Sequence, residues 1–134
     1  MEPKERLELM QYRLDVAQEK LKAASILYEE GCFKDAINRS YYSIFSAMRA
    51  VLALDEIDYS KHAGVISYFQ REYIKTKIFD KVYSKYISEA FRIRSNCDYA
   101  DFFLVSKEDA ETQLTHAQVF LEEVKRYLAK RTKG

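Results

Sequence analysis

Little in this chain interrupts regular structure. Of 134 residues only three are glycine and one is proline, and Pro3 and Gly134 stand at the ends. Such a composition excludes a loop-rich fold. Gly31 and Gly64 are the only interior glycines, so a glycine-rich phosphate loop is excluded as well. The two cysteines, Cys32 and Cys97, form neither a CxxC pair nor a zinc spacing, so no disulfide framework is implied. The two histidines, His62 and His116, show neither HExxH nor ExxH spacing, and neither a metal nor a cofactor is expected. No apolar run approaches the roughly twenty residues that span a bilayer. The opening Met1-Glu2-Pro3-Lys4-Glu5-Arg6 lacks the apolar centre of a signal peptide, so a cytoplasmic location without a membrane partner is expected.

Charge of one sign is also missing overall, with 22 Lys and Arg against 21 Asp and Glu. Affinity for nucleic acid or membrane through bulk charge is therefore excluded. The distribution is less even. Residues 61–94 carry eight basic side chains against Glu72, Asp80 and Glu89, whereas 98–124 carry seven acids against Lys107. A basic face is possible, although charges of this kind also simply solvate helix exteriors.

What is present is helical periodicity. Leu7, Met10, Leu14, Ala17, Leu21, Ala24 and Tyr28 alternate steps of three and four, predicting a first helix over Lys4–Glu30, ended by Gly31. Ile37, Tyr41, Ile44, Phe45, Met48, Val51 and Leu52 mark a second helix over 34–54, antiparallel to the first because the connection is short. Shorter patterns follow over 61–76 and 79–95. After Asn96 the pattern fails, and Cys97–Val105 reads as an ordered loop packed by its own aromatics. Ser106 and Asp109 give a helix start signal. Ala110, Leu114, Ala117, Leu121, Val124 and Leu128 then predict a closing helix that packs on the first. The expected fold is all-α: an up-and-down antiparallel bundle of four to five helices in a single domain over 1–134, with its core at about 4–128 and a frayed tail at 129–134.

Polar groups set into these apolar helices are the candidates for function, because burying an arginine or asparagine without a partner costs several kcal/mol, on the order of 3–5. Arg39 stands beside Tyr41 and Tyr42, and Arg92 and Arg94 precede Asn96, Asp98 and Tyr99. Planar guanidinium forks suit phosphate or carboxylate, so these arginines form either an anion site or an internal network such as Arg94 with Asp98 or Asp101. Cys97 reads as an inert, half-buried thiol. The eleven tyrosines read as core or, given their polar tips, as part of a subunit contact.

Asn38-Arg39-Ser40-Tyr41-Tyr42-Ser43-Ile44-Phe45-Ser46-Ala47-Met48-Arg49-Ala50-Val51-Leu52, followed by Phe91-Arg92-Ile93-Arg94-Ser95-Asn96-Cys97-Asp98-Tyr99 and a closing helix, resembles a small HEPN-domain protein over residues 10–128. Lys61-His62-Ala63-Gly64-Val65-Ile66 is similar to the third region of one HEPN subgroup. The resemblance implies a homodimeric helical bundle acting as the toxin-like partner of a minimal nucleotidyltransferase. Many relatives are metal-independent ribonucleases with an arginine followed after four to six residues by a histidine. Here four residues after Arg92 lead to Cys97, and four after Arg94 lead to Tyr99. In some relatives a tyrosine two positions beyond the motif histidine accepts AMP, a spacing Tyr99 keeps.

Three functions stay open. The first is an RNA- or nucleotide-binding toxin-like half of a two-component system, with Arg39, Arg92, Arg94, Asn96, Asp98 and Tyr99 lining the cleft and no catalytic residue assigned. The second is a ribonuclease with a substituted motif, its base supplied by Asp98, Tyr99 or a distant His62. The third is a non-catalytic dimerisation module.

Overall fold

Gly31 sets the first corner of the molecule. Its φ of +79° is the left-handed conformation that glycine adopts without a steric penalty. It lets Gly31 N–H donate to the Tyr28 carbonyl at 3.0 Å and Cys32 N–H to the Leu27 carbonyl at 2.9 Å, the paired bonds that close a helix. The computed structural model describes residues 1–133 and places α1 at Pro3–Glu29 and α2 at Phe33–Leu54 on either side of this turn. The two run antiparallel, with Tyr28 near the start of α2 and Arg6 donating to the Leu54 carbonyl at its end.

The expected stripe on α1 is shifted. Met10, Arg13, Ala17 and Ala24 are buried, while Leu7 is exposed and Leu14 and Leu21 are half-buried. The alanines let the backbones approach, and Ser43 Oγ donates to the Ala17 carbonyl at 2.8 Å. Every residue expected on the inner face of α2 is buried, as are Ala47, Ala50, Ala53 and Leu54. This is the central helix, covered by α1, α5, α4 and α3.

Helix α2 ends in a second turn of the same type. Glu56 adopts φ +56°, Glu56 N–H donates to Ala53 and Ile57 N–H to Leu52. Helix α3 follows at His62–Phe69 and continues as one wider π-helical turn over Gln70–Ile74, where Lys75 N–H reaches back to the Gln70 carbonyl. Helix α4 occupies Val82–Tyr99. Phe79 precedes it yet is buried, in an aromatic cluster with Phe69, Tyr73, Tyr83, Phe120 and Tyr127. Helix α5 spans Lys107–Thr132 and starts with the predicted box, Ser106 and Asp109 each bonding the other's backbone N–H. It runs antiparallel to α1, where Lys125 meets Gln18, and alongside α2, where Arg131 meets Asp55. The described residues contain five α-helices and no strand.

Three expectations are corrected. Helix α4 does not stop near Asn96 but runs through Cys97 to Tyr99, because the Arg94–Asp98 pair one turn apart supports the helix there. The loop beyond it is not packed by its own aromatics, since Tyr99, Phe102 and Leu104 are 80%, 97% and 86% exposed. The tail is not frayed from 129: α5 continues to Thr132, held by a two-pronged bond from Arg131 to Asp55 at 2.9 and 3.2 Å. Gly134 lies outside the described residues.

Candidate functional site

Arg94 stands on the face of α4 that meets α2 antiparallel, and the apolar pattern of both helices brings it against Tyr41 and Tyr42. Its guanidinium carbon lies 5.1 Å from the centre of the Tyr41 ring and 5.3 Å from that of Tyr42, a cation–π contact with both rings of an edge-to-face pair. Nη2 donates to the Tyr42 hydroxyl at 2.8 Å. Nε is 3.0 Å from Asp98 Oδ2, but its N–H does not point at that oxygen and is buried without an acceptor. The charge is therefore balanced while one strong donor direction stays unused. The internal network weighed for Arg94 exists.

Tyr41 carries the site to α3. It is 1% exposed, and its hydroxyl meets His62 Nδ1 at 2.9 Å. Burial pushes the Tyr41 hydroxyl well above its usual range, so it keeps its proton at neutral pH. No other side-chain partner serves that hydroxyl, so we assign its O–H as the donor to Nδ1, the tautomer that puts the imidazole proton on Nε2. His62 also packs at a tilt on Phe45, ring centres 4.1 Å apart. Burial first, then the charges of Arg94 and Arg49, lower its pKa and keep the ring neutral. His62 thus presents a neutral Nε2–H donor rather than a lone pair.

Beside His62 a second arginine group converges from three segments. Arg13 of α1 donates to the Arg49 carbonyl at 3.0 Å and to Asp58 at 3.3 Å, and Arg49 of α2 donates to the same carboxylate at 3.2 Å. Burial works against the Asp58 charge, but Arg49 and Arg13 outweigh it and hold the carboxyl below the usual carboxylate range.

The remaining sequence candidates are scattered. Arg39 bonds its neighbour Asn38 at 2.6 Å, Arg92 is exposed with no ion pair among the described residues, and Asn96 is half-buried. Asp98 joins Arg94, whereas Tyr99 stands out in solvent. Of the six candidates, only Arg94 and Asp98 are brought into contact. The Cys97 thiol is pushed up by burial, which suits an inert cysteine. No group of three or more metal-ligating side chains occurs among the described residues, and no helix is long and apolar enough to cross a membrane.

The profile of the HEPN domain matches residues 10–127, nearly the whole bundle. The chain belongs to the HEPN domain family. Two proteins of Methanocaldococcus jannaschii named as putative toxins are similar to it. MJ0142 is 35% identical over 131 residues, covering 92% of this chain and 89% of the relative. MJ0605 is 31% identical over 121 residues, covering 90% of each. A UPF0332 protein of Thermotoga maritima is 28% identical over 124 residues, covering 92% of this chain and 94% of the relative. In this HEPN chain the residues of the second cluster, Arg13, Arg49 and Asp58, are the ones missed from sequence. Arg13 is the one charge on the buried face of α1, and that interruption was the available signal.

Proposed function

We propose that this HEPN protein is the RNA- or nucleotide-binding, toxin-like half of a two-component system whose other half is a nucleotidyltransferase. The observation that carries the reading is Arg94: a half-buried guanidinium resting against two tyrosine rings with an N–H left without an acceptor. A phosphate oxygen that displaces the Asp98 carboxylate supplies that acceptor. Relatedness to proteins named as putative toxins supports the toxin-like role. The exposed Tyr99, Phe102 and Leu104 supply an apolar surface for a second copy of the chain. The exposure of Tyr99 also leaves its hydroxyl open to accept AMP from the partner enzyme. Mass spectrometry after incubation with that enzyme and ATP, beside Tyr99→Phe, tests this part.

Metal-independent cleavage is the second reading, favoured by the closeness of His62 to Arg94. It needs a general base, and the proton on Nε2 withholds one in the resting state. Labelled total RNA incubated without metal beside Arg94→Ala separates the two. Binding without cleavage, weakened about tenfold or more by Arg94→Ala, is expected from loss of a charge-assisted contact. Unchanged binding by a folded Arg94→Ala variant overturns the placement. Cleavage lost in that variant establishes the ribonuclease instead.

A further inference from the structure

Next to the Arg94 seam lies a cleft of about 430 Å³ walled by Phe45 and Arg49 of α2, by Asp58, Tyr59 and Ser60 of the connection to α3, and by His62. We propose that this cleft is a phosphate subsite, holding a nucleotide phosphate between His62 and Arg49 with its base against Tyr59. The inference rests on the RNA- or nucleotide-binding reading above and narrows it to one ligand chemistry, a phosphate beside a stacking base, whether free nucleotide or single-stranded RNA.

Three independent features converge on it. His62 Nε2 makes no hydrogen bond and is not sealed in the core, so the donor that Tyr41 fixes in place opens to solvent. Arg49 spends Nη2 on Asp58, at 3.2 and 3.4 Å from its two oxygens, while its Nε–H is buried with no acceptor. Arg49 and Arg94 therefore each carry a buried, unused N–H, and both cations act on the His62 ring. The Asp58 carboxylate faces the same cleft and opposes an anion. It is already engaged by Arg13, Arg49 and the Tyr59 N–H at 2.9 Å, and the three arginines against Asp58 and Asp98 leave one positive charge over.

Tyr59 supplies the stacking face. Its side chain is 41% exposed, and its ring rests near Tyr68 at 5.8 Å between centres. The other support is Gly64, where a Cβ would stand 2.9 Å from Tyr59 Cγ and Cδ1. The segment Lys61-His62-Ala63-Gly64 is thereby explained as a unit: the histidine presents the donor, and the glycine seats the aromatic beside it.

The test titrates isotope-labelled protein with inorganic phosphate, with AMP and with a short single-stranded oligoribonucleotide, following the His62 and Tyr59 ring signals by NMR. Phosphate and AMP are expected to move the His62 signals, and AMP to move those of Tyr59 as well. Arg49→Gln should weaken AMP binding about ten- to hundredfold. His62→Gln, which keeps an N–H donor, should retain more affinity than His62→Phe. If AMP and the oligoribonucleotide saturate the protein with the His62 and Tyr59 signals unmoved in the wild type, the subsite is refuted. Should Arg94→Ala still abolish RNA binding in that case, the function stands with a different subsite. Phosphate and AMP moving His62 without RNA binding supports the subsite for free nucleotides and removes the RNA reading. Binding of no probe refutes both.

Discussion

Replacing Gly64 by alanine sets two effects of opposite sign against each other. Gly64 lies within α3, and alanine there favours helix by about 1 kcal/mol over glycine. The new methyl group, however, would meet Tyr59 Cγ and Cδ1 at 2.9 Å and Cβ at 3.0 Å. Carbon atoms pack at about 3.5–4.0 Å, so Tyr59 must retreat by roughly 0.5–1 Å. Rotation of the ring cannot clear the contact, because Cβ is one bond from the backbone. The backbone must move, and it carries the N–H bonded to Asp58. Overpacking of this kind costs about 1–3 kcal/mol, so the net effect is a destabilisation of about 1 kcal/mol. Urea unfolding followed by far-ultraviolet circular dichroism measures it. In a Tyr59→Ala background two of the three close contacts vanish, and Gly64→Ala should there become neutral or stabilising. If Gly64→Ala instead stabilises the protein by about 1 kcal/mol in both backgrounds, helix propensity alone governs the position. The seating of Tyr59 on Gly64 would then be refuted.

Asp55 accepts from Arg131 and from the Tyr73 hydroxyl, tying α2, the π-helical turn and the end of α5 together. Asp55→Asn should lower stability by about 1–2 kcal/mol, discounted for partial exposure, as a fall in thermal midpoint. Burial works against the Asp55 charge, but the bonds from Arg131 and Tyr73 outweigh it and hold the carboxyl below its usual value, so this contribution is lost as pH falls below about 4. His62 produces a second, milder dependence. Its surroundings are Tyr41, Tyr42, Phe45 and Arg49 of α2, Arg94 of α4 and Asp58 of the adjoining connection, and its pKa is lowered by burial, Arg94 and Arg49. The unfolded chain binds this proton more readily, so stability is full above about pH 6.5 and declines as pH falls below it. His116, lowered by burial, contributes in the same direction. His62→Phe should therefore reduce the slope of stability against pH in that window without removing it, and an unchanged slope would exclude His62 as a source.

The helices were legible because each is written locally. Gly31, the steps of three and four along α2 and α5, and Ser106 with Asp109 all act within a turn or two of where they stand. Two of the errors arose where distant residues decide. Arg131 keeps the last turn of α5 only because Asp55, 76 residues away, accepts its bonds. Arg13 occupies a position that periodicity reserves for an apolar side chain only because Asp58 and the Arg49 carbonyl meet it.

The site follows the same rule. A motif search along α4 finds Cys97 where a histidine would stand and stops, since it tests a single helix. In three dimensions His62 arrives from α3, and Tyr41 joins it to Arg94 by touching both. The substitution is not equivalent. Tyr41, buried and holding its proton, directs the His62 proton outward. That single hydrogen bond turns a group suited to taking a proton into one suited to donating a hydrogen bond to phosphate. It is the reason to favour binding over cleavage in this chain.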